Sequence, residues 1–216
     1  SASADKDAYG GALNVVWNDL DTKAWIGDNV SITTTGQAAW SAQRMVLGAM
    51  VAPGIFSTSS PFKDITYDFS FQNSVDVLAY NLNESINMAG NMGALGIIPS
   101  GTSTNEQGKT VGGAINFVQQ SAQAVAGIGA ATITTAAAGN VNIGAVTDER
   151  HFLITPSSGK GSGTGFNGVL SILNSEVLSH ASLSNQAQVS TNSLRVLASH
   201  EFGNWSASGA LAQSDS

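Results

Sequence analysis

Apolar side chains two residues apart, with polar ones between them, recur along this chain in short phrases. Asn29-Val30-Ser31-Ile32, Ser74-Val75-Asp76-Val77, Asn140-Val141-Asn142-Ile143 and Ser193-Leu194-Arg195-Val196 share one form. A spacing of two puts Val, Ile or Leu on one face of a strand and Ser31, Asp76, Asn142 and Arg195 on the other. A longer phrase is also copied. Gly10-Gly11-Ala12-Leu13-Asn14-Val15-Val16 returns as Gly112-Gly113-Ala114-Ile115-Asn116-Phe117-Val118, and Ala24-Trp25-Ile26-Gly27 returns as Ala126-Gly127-Ile128-Gly129. A third copy opens at Asn167-Gly168-Val169-Leu170, with Ala181 and Leu183 standing where Ala24 and Ile26 stand.

Each long copy reads as an apolar stretch, a polar corner over Asn18 to Lys23, and two more apolar pairs. In the first copy these are Ala24-x-Ile26 and Val30-x-Ile32; in the third they are Ala181-x-Leu183 and Ala187-x-Val189. Copies of this kind predict a solenoid, in which each unit buries its apolar face against the next. The starts near residues 10, 112 and 167 are unevenly spaced, which implies insertions at about 53–72 and 99–110 within one repeat region spanning 1–216. Pro53 to Pro61, Pro99 to Gly113 and Pro156 to Gly165 are rich in breakers and read as loops. Two stretches compete for helix. Ala114 to Ala138 is rich in Ala, but Gly127, Gly129 and Thr132-Ile133-Thr134-Thr135 favour strand. Residues 38–52 lack proline, and helix there stays open.

Composition sharpens the picture. Only 11% of the 216 residues are charged, against about 25% in an ordinary domain. The polar surface must come from Ser, Thr, Asn and Gln, which stack without setting like charges against each other. A net charge of −7, with eight Lys and Arg scattered, gives no basic footprint for nucleic acid or anionic lipid. There is no cysteine, hence no disulfide framework and no thiolate metal site. No run of about 18 apolar residues predicts a membrane helix, so direct membrane insertion is not expected. The N-terminus lacks the pattern of a signal peptide, and Trp205-Ser206-Ala207-Ser208-Gly209-Ala210 reads as a unit with nothing after it, so a piece of a longer protein is expected.

Candidate chemistry is sparse. His180 and His200 lie about one coil apart and, with His151, suggest a metal cluster, but their neighbours are Ser, Ala and Leu rather than carboxylates; no metal and no cofactor is assigned. Asp19 with Asp21, Asp64 with Asp68, and Asp148 with Glu149 are the closest carboxylate groupings, as glycoside hydrolysis or calcium would need. The first pair sits beside Lys23 and reads as solvated turn residues, and no catalytic residue is assigned. Gly159-Lys160-Gly161-Ser162-Gly163-Thr164-Gly165 lacks the spacing of a phosphate loop and reads as a protruding loop. Trp17, Trp25, Trp40 and Trp205 are the large aromatic anchors, with Phe62, Phe69 and Phe71 in the middle insertion. Trp25 lies between Ala24 and Ile26, so alternation puts it on the outer face, where it is the best single ligand-contact candidate.

With these phrases in view, the chain resembles the large exported filamentous adhesins of bacteria, of the filamentous-haemagglutinin and leukotoxin types. The Gly-Gly-Ala opening, Gly139-Asn140-Val141-Asn142-Ile143-Gly144-Ala145-Val146, and Gly163-Thr164-Gly165-Phe166-Asn167-Gly168-Val169 carry the resemblance. It implies an all-β fold, a right-handed parallel β-helix with irregular loop insertions. It also implies a non-enzymatic, structural and adhesive role at the bacterial cell surface or outside the cell. The expected partner is a host or neighbouring cell-surface protein or glycan, with end-to-end self-association through exposed strand edges. A self-assembling extracellular filament subunit and a β-helical polysaccharide-acting enzyme are the alternatives.

Overall fold

The computed structural model describes residues 2–4, 7–35, 39–50, 62–72, 74–90, 102–104, 108–161 and 163–214. Thirteen strands and no helix occur among them. In chain order they are β1 (Ala2–Ala4), β2 (Ala8–Ile26), β3 (Ser31–Thr33), β4 (Ala39–Met50), β5 (Phe62–Gln72), β6 (Val75–Met88) and β7 (Thr102–Thr104). Then follow β8 (Thr110–Ile128), β9 (Thr132–Thr134), β10 (Asn140–Gly161), β11 (Gly165–Leu183), β12 (Gln188–Ser190) and β13 (Ser193–Ser214).

The strands form three parallel sheets and one antiparallel pair. The chain makes three passes through them: β2, β3 and β6; then β8, β9 and β10; then β11, β12 and β13. Each pass adds one strand to each sheet, so β8, β9 and β10 lie in the middle, between their counterparts. Register follows the copied phrases. Gly10 pairs with Gly112 and Gly112 with Asn167; Ile26 pairs with Ile128 and Ile128 with Leu183. β1 adds a further short strand beside β7, which in turn pairs with the end of β10.

Several local expectations are corrected. The polar corner over Asn18 to Lys23 is absent, because β2 continues straight through it, paired to β8 throughout. Asn18, Leu20 and Thr22 turn inward while Asp19, Asp21 and Lys23 turn out, so a run of polar residues marks a polar interior rather than a bend. Asn29-Val30-Ser31-Ile32 does not join the sheet of its three look-alikes. Val75 and Leu194 pair with Val141 from either side, but Ser31 pairs with Thr132 in the short sheet. A spacing of two marks a strand without saying which sheet receives it. Within residues 38–52, whose sequence admits helix or strand, Ala39–Met50 is extended as β4 and pairs antiparallel with β5. Residues 53–61 lie outside the described residues.

The stretch from Pro156 is not a loop either, since β10 runs on to Gly161. A proline inside a strand is tolerated where its missing N–H has no partner to meet. Ile154 accepts a hydrogen bond from the Ala89 N–H, so Pro156, two residues on, faces the same edge just where β6 has ended. There Gly90 turns away with φ of 112°, and a Cβ on it would collide with the Pro156 carbonyl.

The apolar core sits where the three sheets converge. Ala124, Ala126, Ile128, Ile133, Val141 and Ile143 are all buried there, with Ile26, Ile32, Leu183 and Val189 packed against them from the outer passes.

Candidate functional site

Alternation along β2, β8 and β11 sends every second side chain to the outer face of their sheet, and two chemically distinct zones result. Near the strand starts the outward rows are apolar. Tyr9, Val111 and Phe166 form one ridge and Leu13, Ile115 and Leu170 another, with all six exposed. Between them Gly11, Gly113 and Gly168 line up as a floor without side chains, leaving a shallow groove of about 460 Å³ that crosses the strands.

Farther along β2 the outward row reads Trp17, Asp19, Asp21, Lys23, Trp25. Trp17 is 77% exposed and Trp25 48%. Sequence reasoning placed Trp25 on the outer face, and the structure has it there. Its ring lies over the next strand at Gly127, where a Cβ would run into the indole. The Lys23 Nζ stands 5.5 Å from the ring centroid. The indole thus rests on the neighbouring strand while staying about half exposed, in a row that also offers carboxylates, and amides from Gln119 and Gln123 beside it. Flat aromatic faces beside hydrogen-bonding groups suit amphipathic partners such as sugars.

The interior holds a second constellation, which the sequence alone did not single out. Beyond the apolar core the inward positions turn polar: Asn116 and Gln120 on β8, Thr147, Glu149 and His151 on β10, all buried. Ser85 Oγ lies 2.8 Å from His151 Nδ1, and His151 Nε2 lies 3.4 Å from Glu149 Oε2. Ser175 donates to Glu149 at 2.6 Å and Gln120 at 3.3 Å. Burial by itself raises the pKa of Glu149, but the hydrogen bonds from His151, Ser175 and Gln120 outweigh it and hold the carboxyl below its ordinary value. Other side chains reach across: Asn116 donates to the Asn87 carbonyl, Asn81 to that of Leu20, and Asn14 stacks on Asn116 at 3.0 Å. The line Ser85–His151–Glu149 has the order of a nucleophile, a base and its orienting acid. Yet His151 and Glu149 are fully buried, and their polar atoms are satisfied by neighbours within the protein. The arrangement ties the two long sheets together.

The remaining candidates are scattered. His151 is interior, His180 points outward from β11, and His200 takes an inward position on β13 opposite Thr147, so the three histidines do not meet. Asp148 and Glu149 are adjacent and therefore face opposite ways; Asp148 accepts from the Tyr80 hydroxyl on the outer side. Asp19 and Asp21 do share a face, as exposed strand residues. Asp64, Asp68, Trp40, Phe62, Phe69 and Phe71 fall on β4 and β5, where the backbone pairing alone is described. Trp205 stacks on Phe152 with 4.2 Å between ring centroids, which makes it packing rather than a contact residue. Gly159 to Gly161 belong to β10, so no protruding glycine loop stands there.

Comparison with protein-family models, curated proteins and solved structures finds no match to this chain.

Proposed function

We propose that the three passes are successive coils of a right-handed parallel β-helix, and that the chain is a structural and adhesive segment of a secreted or surface-borne bacterial filament. The observation that carries this reading is the parallel register kept through all three passes, with like apolar side chains stacked at the core positions such as Ile26, Ile128 and Leu183. Strands of 19 residues extend about 60 Å, while three levels rise only about 14 Å along the stack. Such a segment is a broad, thin panel with a large outer face, better suited to presenting contacts than to enclosing a substrate. The weak contact surface is the outer row from Trp17 to Trp25, and its partner is a cell-surface glycan or protein.

Beads coated with the protein test this on host cells and immobilised glycans. Adhesion that falls severalfold with Trp17→Ala and Trp25→Ala supports the reading. Adhesion indifferent to both substitutions, or absent altogether, removes the adhesive role.

A further inference from the structure

The two ends of the stack are not alike. Among the described residues nothing pairs with the outer edges of β11, β12 and β13, and interior positions lie open there. Val141 and Ile143 are 0% and 1% exposed in the middle pass, whereas their counterparts Leu194 and Val196 are 44% and 46% exposed. At the opposite end β2, β3 and β6 present their own outer edges.

We infer that these two ends join head to tail: the edge formed by β11, β12 and β13 of one copy pairs with that formed by β2, β3 and β6 of a second copy, in the register already used between passes. This rests on the coil reading above. Continuing the internal register sets Leu183 on Ile26, Val189 on Ile32 and Val196 on Val77, so the apolar core runs on across the joint. On the outer faces Leu170 meets Leu13 and Gly168 meets Gly11, which prolongs both ridge and groove. Charge agrees at one position. Within a copy Asn142 separates Asp76 from Arg195 and donates to Asp76 at 2.6 Å; across the joint Arg195 faces Asp76 directly. It disagrees at another, where Glu176 meets Asp19, kept apart inside one copy by Ser121. The neutral edges of this charge-poor chain leave that pair as the main repulsion. β1 sits above β7, where residues 212–214 of the preceding copy would arrive, so it competes for one corner of the joint.

Disulfide trapping tests the joint, since the chain has no cysteine of its own. Asp21 and Leu178 are outward neighbours across the joint, but within one copy Gln123 lies between them. Their separation in one chain, two strand spacings or about 9–10 Å, exceeds the roughly 7 Å that a disulfide spans. An equimolar mixture of D21C and L178C chains is oxidised over a concentration series. The expected result is a mixed disulfide that dominates over both homodimers, rises about two- to fivefold with E176Q, falls with R195E and rises when residues 1–4 are removed. Homodimers equal to or above the mixed product, or a yield indifferent to R195E, overturn the joint. D21C/Q123C within one chain is the control. Its intrachain disulfide confirms the stacked passes, so that a missing mixed product then counts against the joint alone; its absence removes the coil reading.

Discussion

The interior has two halves built on the same strands, and they work differently. Toward the short sheet, Val141, Ile143 and Ala145 of β10 face Ala124, Ala126 and Ile128 region residues through contacts that have no direction. A few residues on, Thr147 meets Ser179 and Glu149 meets Gln120 and Ser175 through hydrogen bonds that do. Apolar burial of small and branched residues tolerates a slip of the strand by two positions, because the same faces stay inside. The polar half does not. A slip would part Asn14 from Asn116, and would strand Glu149 without its donors in a place water does not reach. The apolar half thus supplies burial and the polar half supplies register.

The largest expected effect comes from breaking the polar half. Glu149→Ala leaves His151, Ser175 and Gln120 facing a void, and a loss of about 3–5 kcal/mol is expected in denaturant titration. A loss under about 1 kcal/mol would mean that the network is a bystander. Ile143→Ala probes the other half with a cavity beside Val141 and Ile128. It should cost about 3 kcal/mol while leaving strand register, read by hydrogen exchange along β10, unchanged. If register shifts with Ile143→Ala and not with Glu149→Ala, the division of labour is reversed.

The smallest and most diagnostic change is Glu149→Gln, which keeps the shape and an acceptor but removes the charge. At neutral pH it should cost about 1 kcal/mol. Because the folded carboxyl is held below its ordinary 4.5, its contribution is complete above that value and fades as pH falls through the lower folded one. Wild type and variant should therefore converge in acid. Stability curves that stay parallel down to acid pH would remove Glu149 from the acid response.

Much of the strand content was legible in residues. The echo of Gly10-Gly11-Ala12 at Gly112-Gly113-Ala114 is also the register in which β2 and β8 pair, because residues stacked at one level meet the same surroundings. Trp25 was legible for the same reason, being flanked by two inward apolar residues. What misled was polarity. Asn18 to Lys23 looked like a corner because polar runs usually meet water, yet Asn18 and Thr22 point inside. Likewise the cluster brings Ser85 to His151 across 66 residues of chain, and the spacing of Glu149 and His151 alone does not announce it.

The amino-acid sequence by itself determined that this protein is made of strands, and which residues alternate between faces, since a period of two is a local property of an extended backbone. Tertiary structure decided the rest. Which sheet accepts Ser31-Ile32-Thr33, how far β2 runs before turning, and which polar side chains are drawn inside depend on pairing with strands about a hundred residues away. Such pairing exists only once the passes lie on one another.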